Sequence, residues 1–256
     1  MNGAFYIGAT GLEAQQRALD VVANNIANIN TPGFRRSSVR FSEMVEAPRT
    51  ADDLPVAAAG GSAAMAGVQV ADTARVWTPG EVRQTGGAMD LAIHGDGFIE
   101  MLGTSGHILL SRGGTLKVNE DGYLAGADGT PLRAMISVPE GAALTINADG
   151  GVFARSASDP AARQIGQIDM VMPRDPDLLV AQGGGYYEVP DDGALNNLAP
   201  GQDGAGSLVQ GGIEQGNVNL SDEMVALMLV QRAYSANAQV VQAGDQMMSI
   251  VNGLRR

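Results

Sequence analysis

Apolar residues recur every seven positions near the end of the chain: Leu220, Leu227, Tyr234, Val241 and Met248, with Met224 and Ala238 at the offset of four. This is the stripe of a long helix that packs lengthwise on other helices, and it predicts one helix over Asn219 to Leu254. Asn219 or Ser221 can cap its start, and Asp222 and Glu223 sit in the first turn, where the helix dipole favours acids. Arg255 and Arg256 carry the charge sign that suits its end. Gln231 and Asp245 interrupt the offset positions; polar residues there cost stability but can fix register and partner number. Roughly 36 residues at about 1.5 Å each make a rod of ~54 Å. That is longer than a small domain needs, so something else must cover its stripe.

A second helical pattern opens the chain, from Gly3 to about Ile29. Phe5, Leu12, Leu19 and Ile26 recur every seven residues, with Val22 and Ile29 three further on. Gly8, Ala9, Gln15, Gln16 and Ala23 between them are small or polar. A two-stranded coiled coil carries apolar residues at both seams; here one seam is strong and one thin, which allows close backbone approach. A single amphipathic helix of this kind rests on its own core. Two at opposite ends of one chain can pair and still leave stripes for neighbouring copies. The helix runs into Asn24, Asn25, Asn28 and Asn30 and is stopped at Thr31-Pro32-Gly33, where proline removes a donor and a turn follows. One Asn or Gly suffices as a cap. Four amides so close together therefore leave two readings open: a plain helix end, or amides that face another helix across a tight interface.

Arg35, Arg36 and Arg40 form a small basic cluster, read as a solvated face, and Phe41 to Val45 suits a short helix or strand. Ala47 to Gly67 is rich in Ala, Gly, Pro and Asp without periodicity, the composition of a linker. From Val68 to about Gly212 short apolar runs alternate with turn signals: Asp96-Gly97, Asp121-Gly122, Asp128-Gly129, Asp149-Gly150, Asp192-Gly193 and Asp203-Gly204. The runs are strand-sized: Leu91–Ile93, Phe98–Leu102, Ile108–Leu110, Thr115–Val118, Ile136–Val138 and Ile165–Val171. The fold expected is α+β. Residues 1–34 and 217–256 form a terminal helical domain whose helices pair as a coiled-coil-like layer. Residues 35–67 form an extended linker or inter-subunit segment, and 68–216 an all-β, largely antiparallel middle domain.

Composition narrows the function. The 256 residues are 45% hydrophobic but only 4% aromatic, with a formal net charge of -12. Nucleic acid and anionic membranes are poor partners for such a chain. It has no Cys, which excludes disulfides and thiolate metal sites. No apolar run is long enough to span a membrane, and the N-terminus lacks the pattern of a cleaved signal, so export without one is expected. His94 and His107 lack metal-ligand spacing. Gly103-Thr104-Ser105-Gly106 is not a nucleophile elbow, Gly183-Gly184-Gly185 precedes no helix, and Gly95-Asp96-Gly97 opens onto a strand. No catalytic, metal or cofactor site is expected, and none of these residues points to an enzyme.

Thr10-Gly11-Leu12-Glu13-Ala14-Gln15-Gln16, then Val22-Ala23-Asn24-Asn25-Ile26-Ala27-Asn28 and Thr31-Pro32-Gly33-Phe34, resembles the N-terminal signature of bacterial flagellar rod and hook proteins. Thr85 to Phe98 is similar to the family's opening of its β domain. Ser111 to Leu116 is similar to the next segment, with Leu110 and Leu116 where an aromatic is usual. Gln210 to Glu214, Asn217-Val218-Asn219, Gln231-Arg232-Ala233-Tyr234, Asn237 and Asp245-Gln246-Met247 match the C-terminal signature, with Gly216 where the family has Ser. The resemblance implies a self-assembling structural subunit of the basal-body rod, in its distal part, building a helical tube that passes torque from motor to hook. It implies homo-oligomeric neighbours, other rod proteins, the hook protein and surrounding ring proteins as partners, and export through the flagellar type III apparatus. Residues 41–72 are then an inter-subunit segment. Subunit contacts are expected at Phe5, Leu12, Leu19, Val22, Asn24, Asn25, Ile26 and Asn28 on the first helix. On the last they are expected at Leu220, Leu227, Gln231, Tyr234, Asn237, Val241 and Met248. The alternatives are a proximal-rod paralogue and a monomeric β-domain protein that binds surface polysaccharide. The second calls for exposed aromatics, which this chain, with a single Trp, hardly has.

Overall fold

The computed structural model describes residues 2–45, 65–103, 106–156, 161–190, 195–202 and 204–254. The chain divides into two compact units. The first comprises Met1–Ala27, Ser37–Val76 and Asn219–Arg256; the second comprises Asn28–Arg36 and Trp77–Val218.

The first unit holds α1 (Asn2–Ala27), β1 (Ser37–Val45), β2 (Met65–Arg75) and α2 (Leu220–Leu254). The capping signal at the start of α2 is used: Ser221 N–H donates to Asn219 Oδ1 at 3.0 Å. α1 packs on α2 and on both strands. The helices run antiparallel, as their close approaches show. Phe5 lies over Gly244, Gly8 meets Val241 and Gly11 meets Asn237. Glycine weakens a helix interior, yet a Cβ on Gly8 would stand 2.6 Å from Val241 Cγ2, and one on Gly11 2.8 Å from Asn237 Nδ2. The absent side chains let the backbones approach. The face that α1 buries is therefore the small one, Gly8, Gly11, Ala14, Ala18, Val22 and Asn25, spaced three or four apart. The expected strong seam of Phe5, Leu12, Leu19 and Ile26 flanks it half-buried.

β1 and β2 pair antiparallel from Ser37↔Arg75 to Val45↔Met65, with register shifts at Arg40/Phe41 and Met44/Val45. The span expected as a linker thus opens on a strand that belongs with the helices. The rest of that expectation, residues 46–64, lies outside the described residues, as do Thr104, Ser105, Asp192, Gly193, Asp203, Arg255 and Arg256.

The second unit is built of strands: β3 (Val82–Gln84), β4 (Asp90–His94), β5 (Phe98–Leu102), β6 (Ile108–Ser111), β7 (Gly113–Thr115), β8 (Lys117–Val118), β9 (Leu124–Ala125) and β10 (Ala143–Ile146). They continue with β11 (Gly151–Arg155), β12 (Arg163–Gln167), β13 (Met170–Pro173), β14 (Val180–Gly183), β15 (Tyr186–Glu188), β16 (Leu195–Leu198), β17 (Ser207–Gln210) and β18 (Gly212–Glu214). Every strand pair among the described residues is antiparallel. The largest sheet has the order β14-β15-β6-β5-β13-β16. Its alternation sends Ile99, Met101 and Met170 into one core, with Leu91, Ile93, Leu124 and Val152. Phe98, Ile108, Leu110 and Val171 enter a second core with Leu179, Tyr187 and Val189. A sheet covered on both faces reads as continuous apolar runs, which is why Phe98–Leu102 and Ile108–Leu110 stand out in the sequence.

Two expected strands divide and one does not form. Thr115–Val118 splits between β7, paired with β4, and β8, paired with β9. Ile165–Val171 breaks at Ile168-Asp169, so that β12 joins β11 and β13 joins β5. Ile136 and Val138 are buried, but this segment satisfies its backbone through Leu124 N–H to Ile136 O and Val138 N–H to Gly122 O. Met135 just before them has φ 44°. Gly97, Gly122, Gly129 and Gly150, the glycines of four Asp-Gly signals, all have positive φ.

Candidate assembly surface

α2 carries apolar residues beyond the side that α1 covers. Met224, Val225, Met228 and Leu229 are exposed and adjoin at steps of one, three and four, so they form one continuous face. Val240, Met247 and Ile250 are exposed apolar residues toward the helix end, and Tyr6 and Ile7 are exposed on α1 on the side of β2. Leu229 and Ile250 are 60% and 63% exposed. Apolar patches of this extent on one molecule mark contact surfaces for another.

The residues expected at subunit contacts fall into groups. Leu220, Gln231 and Tyr234 are exposed on α2. Leu227, Val241, Met248 and Asn237 are half-buried, with Val241 and Asn237 turned to α1. Phe5, Leu12, Leu19, Ile26 and Asn28 are half-buried, Asn24 is exposed, and Val22 and Asn25 are buried within the chain's own fold. Met224 stands on the expected stripe, but Val225, Met228 and Leu229 beside it fall outside a strict seven-residue repeat.

Asn25 departs most from expectation. Its Nδ2 donates to Ser37 O at 2.8 Å and to Glu223 Oε2 at 3.3 Å, and its Oδ1 accepts Ser37 N–H at 2.9 Å. Asn25 and Glu223 are both fully buried. One amide thus ties α1 to the first residue of β1 and the first turn of α2. Asn28 acts more locally, accepting from Thr31 N–H and Oγ1 to close the helix end. Because the Asn25 amide faces its own chain, Asn25→Leu leaves the Ser37 N–H and carbonyl without their amide partner and takes one donor from the Glu223 carboxylate. The expected cost is about 3 kcal/mol, since each buried polar group left unpaired costs roughly 1–3. Denaturant unfolding of the full chain, followed by helical circular dichroism, checks it.

In the second unit the segment after α1 and the segment before α2 meet. Gly33, at φ 68°, donates its N–H to Glu214 O, and Asn217 N–H donates to Phe34 O. Arg36 N–H donates to Asn217 Oδ1 at 2.7 Å, and Asn217 Nδ2 donates to Thr78 O. At the centre lies Glu214, 1% exposed. Its Oε1 accepts from Arg35 Nη2 at 2.8 Å and from Gly80 N–H at 2.9 Å, and its Oε2 accepts from Arg112 Nε at 2.8 Å. Arg112 also donates to Gly97 O and Gly95 O, and its guanidinium lies 5.7 Å from the Phe98 ring centre. Burial pulls Arg112 below the usual arginine value, and Glu214 beside it opposes the fall. Trp77, Phe98 and Tyr187 meet edge to face beside this cluster, and Tyr187 donates its hydroxyl to Gly33 O. The basic residue Arg35, expected on a solvated face, is therefore inside. The available signal was Glu214, on the same face of β18 as buried Gly212, since an inward acid needs a cation.

These convergent segments are also where comparison with known proteins places its matches. Residues 5–35 match the model for flagella basal body rod proteins, 92–154 that for the D1 domain of flagellar hook proteins FlgE/F/G, and 209–254 that for the C-terminal part of flagellar basal body rod FlgEFG proteins. The chain is 31% identical to the flagellar basal-body rod protein FlgG of Borreliella burgdorferi over 100% of both chains. It is 33% identical to FlgG of Agrobacterium fabrum over 97% of this chain and 98% of the relative. It is 31% identical to the flagellar basal-body rod protein FlgF of Caulobacter vibrioides over 94% of this chain and 93% of the relative.

Proposed function

Since the chain belongs to the flagellar basal-body rod protein family, we propose that it is a self-assembling structural subunit of the distal rod, held to its neighbours by the open apolar faces of α1 and α2. The observation that carries this reading is the α2 face of Met224, Val225, Met228 and Leu229, exposed although the helix already has a partner in α1. Helical copies that pack such faces head to tail without closing a ring build a filament. The terminal helices then form a coiled-coil-like layer shared between copies, and torque passes through packing rather than chemistry. Other rod proteins and the hook protein are the further partners, with surrounding ring proteins outside them. The place of work is the basal body, spanning the periplasm and reached through the flagellar type III apparatus.

Likeness to proteins named FlgG over the whole length supports the distal position over the proximal one. Deleting the gene tests the function. Cells are expected to be non-motile and to lack hooks, and the full chain supplied from a plasmid restores both. Quantifying the chain against other rod proteins in purified basal bodies tests the position. A distal subunit is expected in several-fold excess over proximal ones, and equal amounts would favour the proximal assignment.

A further inference from the structure

The second unit carries a pocket that the helix-face contacts leave unused. Its volume is about 340 Å³. Arg35, Arg112 and Arg174 line it together with Asp96, Trp77 and Met172. Arg112 is fully engaged: its three nitrogens reach Glu214, Gly97 and Gly95. Arg35 is not. It is 2% exposed and bonds Glu214 through Nη2 alone, while its Nε and Nη1 have no acceptor. Two buried guanidinium groups thus share the single carboxylate of Glu214. Asp96, on the pocket wall, is exposed and makes no bond to those two nitrogens. A buried cation with unpaired donors is costly, and a negative charge held in the adjoining pocket lowers that cost through its field, without touching the sealed nitrogens.

We infer that this pocket receives a surface carboxylate, the side chain of an Asp or Glu, from a second copy of this chain, which sets its charge toward Arg35 and Arg174 and its methylenes against Trp77 and Met172. Charge complementarity selects that occupant. The chain carries 28 Asp and Glu against 16 Lys and Arg, so a neighbouring copy presents mostly acids, and this cleft offers it arginine. The inference rests on the assembly reading above, and adds a contact on the β-rich unit to those on the helices.

Trp77 is the only tryptophan and lines the pocket, so its fluorescence reports occupancy. N-acetylglutamate titrated into the full-length monomer, against sodium chloride at equal ionic strength, is expected to give a saturable change that chloride does not give. Arg35→Met is expected to lose it. Where Arg35→Met fails to fold, the wild-type titration still decides, because a response matching chloride overturns the inference and leaves a bound water as all that Arg35 needs. Arg174→Glu places a carboxylate at the mouth from a residue outside the Glu214 cluster. It is expected to raise the protein concentration at which filaments appear by about tenfold, with the unfolding midpoint unchanged. Wild-type and Arg174→Glu filaments appearing at one concentration would overturn the pocket contact alone. A wild-type chain that never associates would overturn the assembly reading itself.

Discussion

Glu214→Gln is expected to unfold the β-rich unit under mild conditions. The substitution keeps the side-chain volume but leaves Arg35 and Arg112, 2% and 3% exposed, without their carboxylate. Breaking one partner of a buried ion network costs about 3–5 kcal/mol, because the remaining charges stay desolvated. A domain has only about 5–15 kcal/mol of net stability, so the loss takes a large share of it. Urea unfolding followed by Trp77 fluorescence reads the effect beside the cluster itself. Adding Arg35→Met to Glu214→Gln removes one stranded cation and is expected to recover part of the loss, a coupling that independent sites would not show. A loss below about 1 kcal/mol for Glu214→Gln would mean that the cluster is solvated rather than buried.

The second large effect lies on the open face of α2. Met228→Asp with Leu229→Asp is expected to abolish rod assembly and motility while leaving monomer unfolding nearly unchanged, since both side chains are more than half exposed in the monomer. In an assembled rod each lost apolar contact costs about 1.5–3 kcal/mol, and two carboxylates pressed into that interface cost several more. The half-buried positions behave differently. Leu19→Asp and Leu227→Asp strike the monomer's own packing as well as its contacts, so a motility defect there does not separate folding from assembly. Swimming assays of the double variant, with monomer melting as control, make that separation.

The two helices, four of the Asp-Gly turns and the strands β4, β5 and β6 were legible because each rests on local signals: a seven-residue recurrence, a capping Asn219, Asp-Gly pairs with positive φ, and apolar runs such as Phe98–Leu102. What was not legible depends on distant partners. Nothing near Asn25 announces Glu223, 198 residues away, and nothing near Arg35 announces Glu214, 179 residues away. The helix face was legible in part. The thin seam at Gly8 signals close backbone approach, but Phe5, Leu12, Leu19 and Ile26 read as the stronger seam, whereas two backbones approach only where side chains are missing, so Gly8, Gly11, Ala14 and Ala18 hold the centre. Asn25 continues that small-residue face at the same spacing, which is the signal that places it inside. Phe41 to Val45 read as a short helix or strand, and only pairing with the distant β2 decides for a strand and extends it back to Ser37. Family resemblance was legible at both chain ends, where the matched segments 5–35 and 209–254 lie.

The most direct measurement is a cryo-electron-microscopy map of basal bodies isolated from cells that express this chain, at a resolution that shows side chains. The account predicts the chain in the distal rod, with Met224, Val225, Met228 and Leu229 of α2 covered by helices of neighbouring copies. A rod that lacks this chain, or one in which that face of α2 remains open to solvent, would contradict it.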